Sequence, residues 1–253
     1  MDKENISAFL EKAYKKERSI KIPPSPAISR RQYDEKLVAW FDVLGMKNII
    51  RNYKDYDAED IFSKMGKFQN YVRNSCEGLE KDGRIKYMQI SDGFILVSDF
   101  DCLRTICKIL CQIQWKILLN DRMLLRGALT SGKISITDDE PKLIIGPAFI
   151  EAFSMESEIA IFPRIIIAHD LYREAKLDFL IEDSDHFYFL DFIDYVIKNE
   201  NYNIKQLTRT LKTNSVIDYL KNEYNNYIEK DKKIAQKYGW LIEKLSAKQI
   251  KVL

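Results

Sequence analysis

The chain has 253 residues, of which 46% are hydrophobic and 31% charged, and its 40 Lys and Arg nearly balance its 38 Asp and Glu. This composition predicts a folded globular protein, and the formal net charge of +2 argues against a dedicated nucleic-acid-binding protein. Four cysteines without a CxxC pair, no signal peptide and no membrane-spanning apolar run predict a cytoplasmic protein that does not associate with membranes.

The predicted elements begin with an amphipathic helix over residues 1–20, ended by the proline-rich segment IPPSP at 22–26. After it, apolar periodicity predicts strands and helices in the order β-α-β-β-α-β-α-β. In that order they are a strand at 36–44, a helix from about 57, two strands within 84–99, a helix at 101–119, a strand at 124–136 with a turn or bulge at its glycines, a helix at 146–160 and a strand at 162–169. A further strand is predicted at 186–193.

This order is the split βαβ, or ferredoxin-like, pattern with an extra helix and strand, which predicts an α+β fold of one sheet covered by helices. From about residue 195 the chain is rich in Lys, Asn, Tyr and Glu with helical spacing. We therefore divide it into an N-terminal helix and linker (1–30), a catalytic domain (31–195) and a helical C-terminal extension (196–253).

The apolar segment VAWFDVLGM (38–46) contains one acid, Asp42, with no salt-bridge partner beside it in the run. A carboxylate in a buried strand is costly without a cation or hydrogen-bond donors. Asp42 could be a strand-end residue at a loop, a helix N-cap, or a metal ligand at the end of a strand.

Asp92 lies in the sequence Ser91-Asp92-Gly93, which is first of all a hairpin turn signal. In the split βαβ pattern the first strand and this hairpin are neighbours, so Asp42 and Asp92 can approach each other. Two close carboxylates repel unless a divalent cation neutralises them. Because the chain has only two histidines, carboxylate ligation of Mg²⁺ or Mn²⁺ is favoured. With Gly45 allowing backbone N–H groups near a phosphate, the pattern predicts phosphoryl or nucleotidyl transfer assisted by two metal ions.

Four segments carry a resemblance to a known family. WFDVLGM resembles the first-strand signature of class III nucleotidyl cyclases, and YMQISDGFIL resembles their hairpin with the second metal ligand. LRGALTSGKI resembles their Arg-x-Gly-x-x-x-Gly strand, and GPAFIEAFSMES the helix after it. The segments occur in the family's order within residues 36–170, which implies the cyclase catalytic fold.

Within the family, FDVLG, SDG, the RGA segment and AIFPRIII (160–167) look most like the pyrimidine cyclases of bacterial Pycsar anti-phage defence. The resemblance implies conversion of UTP or CTP to its 3′,5′-cyclic monophosphate, which activates a partner effector. It also implies a homodimer, because class III sites form between two catalytic sheets and this chain has a single copy of the motifs.

The resemblance assigns roles to individual residues. Asp42 and Asp92, with the Val43 carbonyl, would hold the metal ions, and Arg126 would counter the growing charge. The predicted substrate-binding residues are Val43, Leu44, Gly45, Met46, Met88, Ser91 and Arg164, of which Leu44 to Met46 would cradle phosphates. Arg126 and Arg164 could equally belong to structural ion pairs.

The sequence departs from the purine cyclases at three positions. Ile150 and Ser154 stand where those enzymes carry an Asn and an Arg that stabilise the transition state, and Met88 stands where a Lys or Glu reads the purine. We expect Met88, Tyr87 and Phe94 to form a narrow apolar slot for a single-ring base, with UTP preferred over CTP.

Two alternatives stay open. A catalytically inactive protein of the same fold could bind a nucleotide or a partner protein, as Ile150 and Ser154 would allow. A related palm-like enzyme could instead link two nucleotides, although the chain has no GGDEF-like turn.

Overall fold

A computed structural model describes residues 33–46, 50, 58–137, 143–200 and 202–250. The helix predicted over residues 1–20 and the proline-rich segment after it lie outside these residues. From residue 33 onward the chain forms one compact unit. None of the described helices combines the length and apolar character that a bilayer crossing needs.

Strands and helices alternate through the first two thirds of the described chain, and helices follow. The strands are β1 (Asp34–Val43), β2 (Ile85–Ile90), β3 (Gly93–Ser98), β4 (Leu125–Ile136), β5 (Ile144–Ile145), β6 (Ile165–Ile167), β7 (Leu180–Glu182) and β8 (Tyr188–Leu190). The helices are α1 (Ala58–Lys81), α2 (Leu103–Asp121) after a 3₁₀ turn at Phe100–Cys102, α3 (Pro147–Glu158), α4 (His169–Ala175), α5 (Phe192–Asn199), α6 (Ile204–Thr213), α7 (Val216–Tyr227) and α8 (Lys232–Ala247).

The described strands form one sheet in the order β2-β3-β1-β4-β6-β8-β7, with β5 paired to β4. The segment β2-β3-β1-β4 is antiparallel and, with α1 and α2, forms the split βαβ core. Strand β6 joins it by parallel pairing with β4. The predicted α+β fold with a ferredoxin-like core is therefore confirmed.

The two faces of β1 differ, because successive side chains of a strand point to opposite faces. Leu37, Phe41 and Val43 belong to the large hydrophobic core, which includes buried residues of α1 and α2. Val38 and Trp40 belong to a smaller core with Ala148 and Ala152 of α3. Asp42 lies two residues after Trp40, so both side chains point to the face covered by α3.

The C-terminal helices share the large core with the sheet. Residues of α6, α7 and α8 belong to the same cluster as β1 and β4, and they include Leu207, Leu211, Val216, Leu220, Trp240 and Leu241. The predicted boundary between the catalytic domain and the extension falls inside α5.

Two sequence predictions about elements were wrong. The strand predicted over 186–193 ends at Leu190, and Asp191 begins α5 by accepting hydrogen bonds from the N–H groups of Ile193 and Asp194. The predicted turn within 124–136 is absent, since β4 pairs with β1 from residue 125 to 134. Gly127 instead allows a close approach of the two strands: an added Cβ would lie 2.6 Å from the Trp40 carbonyl oxygen.

We expect Gly127→Ala to destabilise the protein by about 1–3 kcal/mol, because the methyl group would push β4 away from β1. The matched control is Gly66→Ala in α1, where nothing lies within 4 Å of an added Cβ. That substitution should stabilise the helix by about 0.5–1 kcal/mol. Urea denaturation of both variants tests this expectation, and equal stabilities would contradict it.

Candidate active site

The sheet brings Asp42 and Asp92 to one place. Asp42 pairs with Gly93 across β1 and β3, and the Val43 N–H donates to the Asp92 carbonyl oxygen at 3.3 Å. Ser91 has a left-handed backbone (φ +56°) in the turn before Asp92. A Cβ on Gly93 would lie 2.7 Å from the Trp40 ring, so glycine at this position allows the turn to pack directly against β1.

Arg126 stands opposite Asp42 on β4 and contacts two carboxylates. Its Nε donates to Asp42 Oδ1 at 3.1 Å and its Nη2 to Oδ2 at 3.4 Å. The same Nε lies 2.6 Å from Glu156 Oε1 of α3. Trp40 Nε1 donates to the other oxygen of Glu156 at 3.3 Å. The guanidinium therefore joins β1, β4 and α3.

Burial raises the pKa of both carboxylates that Arg126 contacts. The pKa of Asp42 is raised mainly by burial and further by the Asp92 charge, while Arg126 opposes the shift. The pKa of Glu156 is raised to about 7 by burial and then by Asp42, again against Arg126. Because burial is the largest cause in both cases, a cation beside these carboxylates would stabilise their ionised forms.

Glu156 is the site residue that sequence reasoning did not select. It is only 2% exposed, and it follows Ala148 and Ala152 at intervals of four residues on the buried stripe of α3. An acid on an apolar helical stripe is the sequence signal that identifies such a residue, since unpaired buried carboxylates are costly.

The donor set fits a hard divalent cation. The described residues contain no group of three or more His, Cys, Asp and Glu side chains placed to hold a metal ion. Mg²⁺, however, is usually bound through one or two carboxylates together with water and substrate phosphates. Asp42 and Asp92 are two carboxylates of this kind, and Val43 follows Asp42 directly in β1.

The predicted phosphate-binding segment, Leu44 to Met46, is partly used by contacts within the protein. The Leu44 N–H donates to the Leu124 carbonyl oxygen at 2.8 Å, so this group is not directed to a ligand. Gly45 is exposed with a left-handed backbone (φ +86°), which glycine adopts without strain, and Met46 is buried in the large core.

The predicted base slot does not form. Met88 packs against the smaller core, whereas Tyr87 packs against the large core on the other face. Phe94 is buried between Phe41 and Phe68. A cavity of about 530 Å³ lies next to the hairpin turn instead. Its lining includes Ile61, Phe62, Met65 and Gln69 of α1, with Gln89, Ser91 and Asp92.

Arg164 does not join the Asp42 cluster. It is 1% exposed, and its Nη1 donates to Asp183 Oδ2 at 2.6 Å and to Asp185 Oδ1 at 3.1 Å. Trp240 and Lys244 of α8 donate to the same Asp183 carboxylate at 2.9 and 2.7 Å. Arg164 therefore belongs to a structural ion pair and not to the predicted substrate-binding residues. Through Asp183 it fixes α8 to the sheet.

Two of the three positions that depart from the purine cyclases, Ile150 and Ser154, lie on the outer part of α3. Ile150 is 68% exposed, and Ser154 is half-buried. Neither side chain can supply the positive charge of a guanidinium.

Comparison with known proteins identifies the fold. No protein-family model and no curated protein matches the sequence. Among solved structures, the chain is similar to the monomeric guanylyl cyclase domain of the RhoGC fusion protein from the aquatic fungus Blastocladiella emersonii. The identity is 19% and the TM-score 0.50, over 63% of this chain and 95% of that one. A bacterial light-regulated adenylyl cyclase is similar at 9% identity and a TM-score of 0.50, over 75% of this chain and 64% of that one. The chain therefore has the fold of class III cyclase catalytic domains.

The raised pKa of Glu156 predicts a pH-dependent stability. Because its pKa is about 7 in the folded chain and 4.5 for an unperturbed glutamate, the folded state binds the proton more tightly. This stabilisation is complete below pH 4.5 and is lost as the pH rises through 7. Between pH 5 and 8, wild type should lose about 1–3 kcal/mol relative to Glu156→Gln in urea denaturation.

The exposed Glu158, two residues further along α3, gives the control. Glu158→Gln should follow the wild-type pH dependence. A Glu156→Gln variant whose stability changes in parallel with wild type would show that Glu156 is ionised throughout this range.

Proposed function

We propose that this protein is a metal-dependent nucleotide cyclase that converts a pyrimidine nucleoside triphosphate, UTP or CTP, to its 3′,5′-cyclic monophosphate and pyrophosphate. The observation that carries the proposal is the approach of Asp42 and Asp92 beside Arg126, at the end of the central strand of a cyclase fold. Fold alone does not specify chemistry, so the proposal rests on these three side chains.

In the proposed reaction the ribose 3′-oxygen forms a bond to the α-phosphorus. The bond from the α-phosphorus to the bridging oxygen breaks, pyrophosphate leaves with the electron pair, and the 3′-hydroxyl proton passes to solvent. Arg126 would contact the polyphosphate and counter its charge, since its guanidinium is partly exposed beside Asp42. Glu156 would keep that guanidinium in place from the buried side.

Asp42, Asp92 and the Val43 carbonyl are the groups that would hold Mg²⁺ or Mn²⁺. When bound, two such ions lower the pKa of the attacking hydroxyl and neutralise the departing pyrophosphate. Burial, and after it the charge of Asp92, raises the pKa of Asp42, so a cation that stabilises the ionised carboxylate would be favoured at this point.

The preference for a pyrimidine is supported by the sequence resemblance to the Pycsar cyclases, and Met88 argues only against purine readout. A purine-reading site needs a donor or acceptor at that position, and a thioether supplies only a weak acceptor. By the same resemblance, the protein would act in the bacterial cytoplasm, and its cyclic nucleotide would activate a separate effector in anti-phage defence.

A second candidate function is nucleotide binding without turnover. The observation that favours it is Ile150, an exposed hydrophobic residue where the purine cyclases carry an amide. Under this alternative, Asp42 would stay paired with Arg126 and the protein would recognise a nucleotide or a protein partner.

Product analysis tests the proposal. We expect purified protein incubated with all four nucleoside triphosphates and Mn²⁺ to yield cyclic UMP or cyclic CMP by mass spectrometry. Asp42→Asn and Asp92→Asn should each retain less than about a tenth of the wild-type rate, a loss above about 1.4 kcal/mol of transition-state stabilisation. The amide keeps the volume of each side chain but removes the charge.

The exposed Asp82, in the turn before β2, gives the control, and Asp82→Asn should keep full activity. Conversion of ATP or GTP alone would reject the pyrimidine preference. Linked dinucleotides would indicate the palm-like alternative, and nucleotide binding without any product would favour the second candidate function.

We also propose that two chains form a homodimer through the face that carries α3. Ile145, Ile150 and Phe153 are exposed there, and Phe153 lies against Trp40 with ring centroids 5.9 Å apart. A contiguous exposed apolar patch beside a charged site favours an interface between two copies.

Light scattering should give twice the mass of one chain for wild type, and the mass of one chain for Ile150→Asp, because a buried aspartate without a partner opposes association. Ser157→Asp places the same charge at an exposed polar position of α3 and should leave the dimer intact. A monomeric wild type at concentrations that support full activity would rule out the proposed dimer.

A further inference from the structure

The C-terminal helix α8 is held against the strands that follow the site. Trp240 stacks on Phe162 with ring centroids 5.8 Å apart and lies 5.4 Å from the Phe189 ring. Trp240 also donates to Asp183, the partner of Arg164. The Arg164 carbonyl oxygen in turn accepts a hydrogen bond from Gly127, the residue after Arg126. A continuous set of contacts thus runs from α8 to the strand that carries Arg126.

Lys237 lies one turn before Trp240 and Leu241 on the same face of α8, since side chains three and four positions apart share a face. It is half-buried. Its charge acts on Asp42 and Glu156, which stabilise it, and on Arg126, which opposes it. Helix α8 therefore carries a lysine to the group of charges around Asp42.

Among the residues that the structure describes, Lys237 has no direct partner. In the part of the chain that the structure describes, its ammonium group makes no hydrogen bond and no ion pair, although the other lysine on this face, Lys244, pairs with Asp183. The nearby carboxylates of Asp42 and Glu156 are already paired with Arg126. Burial and Arg126 lower the pKa of Lys237, while Asp42, Asp231 and Glu156 raise it, so its charged form would gain from a further anion placed beside it.

We infer that Lys237 binds the phosphate chain of the nucleotide, so that a residue of the C-terminal helix completes the site formed by the sheet. The inference rests on the proposed function for the identity of the ligand, a nucleoside triphosphate. It gives the site a second cation besides Arg126, where Ile150 and Ser154 of α3 provide none. A partly desolvated ammonium group suits this role, because it binds phosphate as a point charge and is not ion-paired with a carboxylate of the described residues.

Inorganic tripolyphosphate separates phosphate binding from turnover. With Mg²⁺ present, titration calorimetry should show that Lys237→Met binds tripolyphosphate about tenfold or more weakly than wild type. Lys237→Arg should recover most of the affinity. Lys233→Met removes an exposed lysine from the same helix and should bind as wild type does. The melting temperature of each variant shows that the fold is intact, and Lys237→Gln replaces the methionine variant if that variant unfolds.

Nucleotide kinetics give a second measurement. The KM for the nucleotide that wild type converts should rise about tenfold in Lys237→Met and fall again in Lys237→Arg. If Lys237→Met keeps wild-type tripolyphosphate affinity and KM, the inference is wrong while the cyclase proposal stands. If wild type converts no nucleotide but tripolyphosphate binding depends on Lys237, the cyclase proposal is wrong and the phosphate site stands. A wild-type protein that does not bind tripolyphosphate overturns the inference.

Discussion

The Arg126 guanidinium is the interaction on which the site depends, because three elements of the fold meet at it. It holds Asp42 of β1 and Glu156 of α3 from its own place on β4. Removal of one partner from this partly buried group leaves a charge with less compensation and destabilises the fold. The same pairing fixes where α3 lies on the sheet, and so positions both the exposed patch around Ile150 and the carboxylates available to a cation.

A second buried charge cluster performs a similar task in the other half of the sheet. Asp183 accepts from Arg164, Trp240 and Lys244, and these contacts join β6 to α8. The two clusters differ in exposure. Arg164 is enclosed, with both terminal nitrogens paired to Asp183 and Asp185, whereas Arg126 is partly open to solvent. That difference separates the structural arginine from the one available to a ligand, although both follow an apolar stretch in the sequence.

The sequence predicted the elements that have strong local signals. The apolar run around Asp42 and the Ser-Asp-Gly turn specified β1, β2 and β3 and their pairing, because a two-residue turn fixes the register of a hairpin. Helix α4 and strand β7 were missed, since elements of seven and three residues carry too little periodicity. The base slot failed because Met88 and Tyr87 are neighbours in one strand and therefore point to opposite faces. Arg126 and Arg164 differ in exposure and in role because of partners distant in sequence, and no local sequence pattern identifies those partners.

The contacts of Asp183 also bear on the order in which the chain can fold. Arg164 finds this aspartate 19 residues away, but Trp240 and Lys244 lie 57 and 61 residues beyond it. During synthesis, Phe162 and Phe189 therefore stay uncovered until α8, which carries Trp240, has emerged. Such non-local closure is slow and leaves apolar surface accessible to other chains in the meantime. A nascent chain from which α8 has not yet emerged would therefore expose the apolar surface that Trp240 covers on Phe162 and Phe189.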